Sequence, residues 1–308
     1  MPLDPQARVI IDLIESFGFG GFTAETDPLE MRALMEAAVI PSTIDIAQVE
    51  DCEIPGPLGP IPARIYRPDG EAPKPVIVYY HGGGWVLGSL ASHDDVCRGL
   101  AQGVDAVVVA VDYRMAPEDR FPAAVEDADA ALVWTHAHAS EFGGDPNRLA
   151  VAGDSAGGNL AAVAAVRARD SGGPGLRFQL LVYPVTDYEF TSRSMNDNAE
   201  GYYLTRDAMR WFYDQYLNDR GEGADPRVSP QRAADLGGLP PAFVLTMEYD
   251  PLRDQGLAYA EAMRAAGTMV ESKTYAGLFH GCFSMSGQID AAKVAFDDAV
   301  LALRAGLA

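Results

Sequence analysis

Leu149-Ala150-Val151-Ala152-Gly153-Asp154-Ser155-Ala156-Gly157 is the stretch that decides the fold, because an apolar run leads directly into a Gly-x-Ser-x-Gly pattern. Between a strand and a helix, this pattern holds a serine hydroxyl above the edge of a sheet, within reach of a carbonyl carbon and a base. Glycine on both sides of the serine relieves the crowding that side chains would cause in so sharp a turn. The stretch therefore predicts a strand, a reactive serine at the turn and a helix.

Apolar strands alternate with helical patterns along most of the chain. We predict further strands at 49–54, 61–67, 76–80, 106–111, 180–183, 243–246 and 272–275. The first two, joined by the turn-rich segment 55–60, suit the edge of a sheet. Near-continuous apolar strands separated by helices are typical of a largely parallel sheet covered on both faces, with its site at the strands' C-terminal ends.

Two segments interrupt this alternation. Residues 7–40 carry helical spacing with a glycine-rich break at 17–21, and residues 187–241 form an insertion too long for an ordinary loop. We therefore predict core segments at 49–186 and 242–308, with an N-terminal cap segment at 1–48 and a cap insertion at 187–241. A helix from Arg206 to Leu217, capped by Thr205, carries an apolar stripe that can pack on the core, line a pocket or do both: Met209, Phe212, Tyr213 and Tyr216.

Charge and composition exclude several partners. The 308 residues carry a net charge of −21, which repels nucleic acids and anionic membrane surfaces. The start of the chain lacks the basic and apolar parts of a signal peptide, and no run approaches a membrane span. We expect a cytoplasmic protein with no stable membrane association and reduced cysteines, whose oligomeric state, a homo-oligomer included, the sequence leaves open.

A serine hydroxyl needs an adjacent base to become a good nucleophile, and the usual base is an imidazole oriented by a carboxylate. On this architecture the three residues occur in the chain order serine, acid, histidine. Of the five histidines, at 81, 93, 136, 138 and 280, only His280 follows Ser155. Elimination therefore predicts His280 as the base, in a loop after the last predicted strand.

Three aspartates are candidates for the acid. Asp250 directly follows the predicted strand at 242–247 and so lies at a strand's C-terminal end. Asp187, after 180–185, is the alternative. Asp254 lies where starting the next helix or pairing with Arg253 is the expected role. We predict Asp250.

A glycine-rich turn, His81-Gly82-Gly83-Gly84-Trp85, directly follows the predicted strand at 76–80. Such a turn can aim bare backbone N–H groups at a developing oxyanion, together with the N–H of Ala156 after the serine. It could instead cradle a phosphate, but the chain carries neither a GxxxxGK[ST] nor a GxGxxG pattern. We therefore expect an oxyanion site and no metal or other cofactor.

Several segments together resemble the bacterial hormone-sensitive-lipase family of carboxylesterases: 81–85, 112–118, 153–159, 249–254 and 280–281. The resemblance implies an α/β-hydrolase fold, a mostly parallel central sheet flanked by helices with a helical cap built from the N-terminus and the insertion. It also implies short-to-medium acyl esters as substrates. By this resemblance Ser155 is the nucleophile, Asp250 the acid and His280 the base, with His81 bracing the glycine turn and three oxyanion donors: Gly83, Gly84 and Ala156.

The residues and the resemblance together predict a carboxylesterase that acts on a small-molecule ester through an acyl-enzyme. Trp85 at the glycine turn and the cap aromatic Phe212 are predicted to bind substrate and limit the length of the group that fits. The same triad could serve an amidase or a lactonase, because it does not encode the leaving group. A ligand-binding receptor on this fold is the alternative outside enzymes.

Overall fold

A single sheet organises the chain in the computed structural model, which describes residues 2–18, 21–23 and 25–308. Its strands over these ranges are β1 Gln48–Gly56, β2 Gly59–Arg67, β3 Lys74–Tyr80, β4 Val107–Val111, β5 Gly144–Asp154, β6 Phe178–Val182, β7 Ala242–Tyr249 and β8 Val270–Phe279. They lie in the order β1-β2-β4-β3-β5-β6-β7-β8.

The sheet is parallel from β3 to β8, whereas β2 pairs antiparallel with β1 and β4. The prediction of a largely parallel sheet with the first two strands at one edge is confirmed. β8 extends four residues beyond the predicted end at Tyr275, to Phe279, so that His280 directly follows a strand instead of lying in a loop.

Helices cover both faces of the sheet. They are α1 Pro5–Ser16, α2 Pro28–Ala37, α3 Asp94–Val104, α4 Ala123–His138, α5 Ala156–Ser171, α6 Arg193–Asp197, α7 Arg206–Tyr216, α8 Arg253–Ala265 and α9 Asp290–Gly306. Short 3-10 helices occur at Ala139–Phe142, Arg220–Ala224, Pro230–Arg232 and Cys282–Met285. The predicted helix after Thr205 is confirmed, and the Thr205 hydroxyl accepts the Ala208 N–H at 2.9 Å.

Two apolar cores follow from the alternation of side chains along the strands. Val76 and Val78 of β3 face the core shared with α4, α5, α7 and α8, while Ile77 and Tyr79 face the core shared with α1, α3 and α9. Because both faces of the central strands are covered, their sequences are apolar at nearly every position.

The two N-terminal helices pack in different places. Asp4 caps α1 and donates its N–H to Gly277 O, which ties α1 to β8, and Ala7 and Ile11 are buried in the core that contains α9. α2 instead lies near the glycine turn. The predicted break at 17–21 includes Phe19 and Gly20, which lie outside the described residues. No helix within the described ranges is long and apolar enough to cross a bilayer.

A matched pair of substitutions tests the central core. Leu180 on β6 is fully buried, whereas Leu301 on α9 is 60% exposed. We expect Leu180→Ala to lower the free energy of unfolding by roughly 2–5 kcal/mol, because it leaves a cavity between sheet and helices. Leu301→Ala should change it by less than about 0.5 kcal/mol. Urea unfolding measures both values, and equal effects would contradict this description of the core.

Candidate active site

The serine turn joins β5 to α5. Ser155 has φ 55° and ψ −117°, a conformation that the surrounding backbone must enforce. A Cβ on Gly153 would lie 2.3 Å from Gly157 O, and a Cβ on Gly157 would lie 1.9 Å from Tyr80 O. Both glycines are therefore required, because the turn presses against its own backbone and against the end of β3.

Three predicted residues from distant parts of the chain meet above this turn. His280 Nε2 lies 2.9 Å from Ser155 Oγ, and His280 Nδ1 lies 2.8 Å from Asp250 Oδ2. Since a carboxylate only accepts, Nδ1 carries the proton and Nε2 presents its lone pair to the serine hydroxyl. The ring of Tyr183 packs on the imidazole with centroids 4.5 Å apart and helps to hold it in place.

The carboxylate partner of the histidine is Asp250, which is fully buried at the end of β7. Its Oδ1 accepts the Leu252 N–H at 2.7 Å, so both of its oxygens are engaged. Asp187 instead pairs with Arg232 at 2.5 Å. Asp254 pairs with Arg253 at 2.9 Å and accepts a backbone N–H from α6. The structure therefore brings only the first of the three candidate aspartates to the imidazole.

The glycine turn adopts a backbone that only glycine tolerates. Gly83 has φ 118° and Gly84 has φ 63°, and added Cβ atoms would lie 2.1 Å from Leu87 O and 2.2 Å from the Phe212 ring. Hydrogen bonds among the described residues leave the N–H groups of Gly83, Gly84 and Ala156 unused. The three predicted oxyanion donors are thus available beside Ser155.

A cavity of about 220 Å³ lies over Ser155 and the glycine turn. Its apolar wall comes from the N-terminal segment, the insertion and the core, through Phe22, Met35, Leu87, Val185, Leu204, Met209, Phe212 and Met285. Polar groups are few and lie near the triad. The site is therefore shaped for an uncharged group beside a reactive serine.

Trp85, which the sequence predicts to bind substrate, is not among the residues that line this cavity. Its side chain is fully buried and stacks on Tyr216 of α7, with ring centroids 4.3 Å apart and planes within 5°. The backbone of Trp85 adopts a positive φ of 60°, which is uncommon for a residue other than glycine. The apolar stripe on α7 is divided accordingly, since Met209 and Phe212 line the cavity while Tyr213 and Tyr216 pack on Trp85.

Sequence analysis missed Arg32, which fastens α2 over the site. Its guanidinium donates to Val86 O and Ala116 O, both at 2.6 Å, and forms a two-pronged pair with Glu118 at 2.6 and 2.8 Å. α2 is thereby tied to the segments that follow the glycine turn and β4. Nothing in the local sequence indicates this, because an arginine on a helix is usually solvated.

Sequence analysis also missed a polar cluster around Asp154, the residue between Gly153 and Ser155. Burial alone would raise the pKa of this carboxyl, but His93 and Tyr79 outweigh that effect and hold its pKa below the usual value. The sequence feature that could have indicated this cluster is the position of Asp154 inside the Gly-x-Ser-x-Gly motif.

Within the described ranges, no group of three or more His, Cys, Asp or Glu side chains is placed to hold a metal ion.

Comparison with known proteins agrees with this geometry. Residues 77–284 match the family model described as the α/β-hydrolase fold. The chain belongs to the α/β-hydrolase family. The resemblance to hormone-sensitive-lipase-like members that the motifs predicted is confirmed, and so is the predicted fold class.

Similar α/β hydrolases carry esterase names. Carboxylic ester hydrolase LipN of Mycobacterium tuberculosis is 45% identical over 99% of this chain and 83% of its own length. Carboxylesterase NlhH of the same organism is 47% identical over 80% of this chain and 79% of its own. The crystal structure of carboxylesterase EstE1, cloned from a metagenomic library, superposes with a TM-score of 0.89 at 44% identity, covering 93% of this chain and all of EstE1.

Covalent labelling of Ser155 tests how this α/β hydrolase activates its serine. A fluorophosphonate should label Ser155, and Asp250→Asn should slow labelling by about 10³–10⁴-fold, because an amide favours the wrong imidazole tautomer. Asp187→Asn is the matched control and should label at the wild-type rate. Mass spectrometry of the labelled peptide gives the rates. If Asp187→Asn were the slow variant, the acid would be misassigned.

Proposed function

We propose that this protein is a serine carboxylesterase that hydrolyses esters of short-to-medium acyl chains through an acyl-enzyme intermediate. The observation that carries the proposal is the continuous hydrogen-bonded chain from Ser155 Oγ through His280 to Asp250, at 2.9 and 2.8 Å. The esterase names of relatives more than 40% identical add support for esters as the substrate.

In the first half-reaction, Ser155 Oγ attacks the ester carbonyl carbon while its proton passes to His280 Nε2. The carbonyl oxygen becomes an oxyanion that accepts hydrogen bonds from the N–H groups of Gly83, Gly84 and Ala156. Asp250 accepts the Nδ1–H and stabilises the imidazolium. His280 then gives its proton to the alkoxy oxygen, the C–O bond breaks, and the alcohol leaves the acylated serine.

In the second half-reaction, water replaces the alcohol beside His280. The imidazole takes a proton from the water, the oxygen attacks the acyl carbon, and the same N–H groups stabilise the second oxyanion. Collapse of this intermediate returns the proton to Ser155 Oγ and releases the carboxylic acid. The overall reaction adds one water across the ester bond and restores the enzyme.

The cavity sets the expected range of substrates. Its volume of about 220 Å³ and its apolar wall suit a small uncharged ester rather than a long acyl chain. We infer that the N-terminal segment and the insertion act as a cap over the site, because Phe22, Met35, Met209 and Phe212 close the cavity opposite Ser155.

Hydrolysis of p-nitrophenyl acetate tests the proposed activity. The wild type should turn over this ester, and Ser155→Ala should reduce kcat by about 10⁶-fold, because no other group can carry the acyl intermediate. Circular dichroism checks that the variant stays folded. Equal turnover by the two proteins would show that Ser155 is not the nucleophile. Faster hydrolysis of the matching anilide than of the ester would show that the protein is an amidase.

Acyl-length preference tests which aromatic side chain bounds the substrate. Phe212→Ala removes a ring from the cavity wall, so kcat/KM for p-nitrophenyl octanoate should rise about tenfold relative to that for the acetate. Trp85→Phe is the control, because Trp85 lies outside the cavity, and it should leave the octanoate-to-acetate ratio unchanged. A shift of the octanoate-to-acetate ratio in Trp85→Phe, but not in Phe212→Ala, would show that Trp85 and not Phe212 bounds the substrate.

A further inference from the structure

One carboxylate beside the reactive serine takes no part in the triad. Asp154 lies at the end of β5 and is 7% exposed. Two donors converge on its Oδ1, the Tyr79 hydroxyl at 2.7 Å and the Gly82 N–H at 3.0 Å, and His93 Nε2 lies 3.3 Å from the same oxygen. A buried carboxylate with several polar partners is held rigidly by the fold.

His93 completes the cluster from the cavity side. Its Nε2 lies 3.3 Å from both Gly82 N and Asp154 Oδ1, and its Nδ1 lies 2.9 Å from Ser92 Oγ. The Gly82 N–H donates to Asp154 Oδ1 at 3.0 Å and also to His93 Nε2, so the carboxylate and the imidazole hold the same N–H. Both His93 and Asp154 line the cavity next to the triad.

The cluster acts on the glycine turn through a single peptide group. The C=O of His81 and the N–H of Gly82 belong to one planar unit, and the first accepts the Tyr113 hydroxyl at 2.7 Å while the second donates to Asp154. A peptide held at both ends cannot rotate. Gly82 also presses on the carboxylate, since an added Cβ would lie 2.3 Å from Asp154 Oδ2.

The next peptide carries an oxyanion donor. The C=O of Gly82 is held by His81 Nδ1 at 2.8 Å, and the N–H in the same plane is that of Gly83, which is free of protein partners among the described hydrogen bonds. Because glycine backbones are otherwise permissive, the direction of the Gly83 N–H depends on how firmly Gly82 is anchored. The next peptide, which carries the Gly84 N–H, is held separately, since Gly83 O accepts the N–H groups of Val86 and Leu87.

We propose that Asp154 and His93 form a positioning pair that anchors Gly82 and so aims the Gly83 N–H, one of the oxyanion donors of the glycine turn. The pair touches no reacting atom, and the inference rests on the ester hydrolysis proposed above. The pair links the serine turn to the glycine turn directly, because Asp154, the residue before the nucleophile, holds the turn that stabilises the oxyanion. Loss of the pair should weaken binding of the transition state rather than of the substrate.

Kinetics of Asp154→Ala test this role. The variant should lose about 10–100-fold in kcat with KM within about twofold, and its affinity for a trifluoromethyl ketone, whose adduct places an oxyanion at the donors, should fall by the same factor. Asp154→Asn keeps an acceptor for Gly82 and should recover most of the loss. His93→Ala should give a smaller fall of the same kind and serves if Asp154→Ala does not fold.

The matched control is Asp127→Ala. Asp127 is a fully buried carboxylate on α4 that pairs with Arg114 at 2.8 Å and does not contact the glycine turn. The Asp127→Ala variant should have a lower melting temperature but a kcat within about twofold of wild type. An equal fall in kcat for both alanine variants, or a rise in KM alone for Asp154→Ala, would overturn the positioning role.

Hydrogen–deuterium exchange gives a readout that does not depend on turnover. Amides of the segment 81–85 should exchange at least tenfold faster in Asp154→Ala than in either wild type or Asp127→Ala, because Gly82 has lost its anchor. Unchanged exchange would refute the inference even in an active enzyme. Faster exchange in a protein without esterase activity would instead uphold the anchor and refute the proposed function.

Discussion

The structure depends on the close approach of two backbones at the C-terminal ends of β3 and β5. Gly157 at the start of α5 lies so near Tyr80 O that a Cβ would come within 1.9 Å of it. This approach forces the sharp conformation of Ser155 and places the glycine turn that follows β3 beside the serine hydroxyl. The positions of Ser155 and of the glycine turn, the proposed nucleophile and oxyanion donors, therefore both depend on one packing constraint between neighbouring parallel strands.

Two buried carboxylates lie close to Ser155, and each is satisfied by a different set of hydrogen-bonding partners. Asp250 binds the imidazole with one oxygen and a backbone N–H with the other, so it orients a proton acceptor. Asp154 accepts from Tyr79 and Gly82 on one oxygen beside His93, and its pKa is lowered although burial alone would raise it. Each charge thus has hydrogen-bonding partners that compensate for lost hydration, which a buried charge requires.

The cavity above the serine is assembled from segments far apart in sequence. α2 is tied to the core by Arg32, and α7 contributes Met209 and Phe212 on one side while its Tyr216 stacks on Trp85. The aromatic stripe of one helix therefore serves both packing and enclosure. Arg32 donates to Val86 O, which lies shortly after the glycine turn, so α2 is attached close to that turn.

The sequence by itself determined the alternation of strands and helices and the turn at Ser155. It also predicted the two partners of Ser155, His280 by chain order and elimination and Asp250 by its position after a strand. Those features depend on local patterns: apolar runs, glycine at strained backbone positions and the order of residues along one sheet. Only the tertiary structure decided that Trp85 stacks on Tyr216, that Arg32 fastens α2, and that Asp154 and His93 meet at Gly82. Side-chain direction and long-range partners depend on how separate elements pack, and no local spacing encodes that packing.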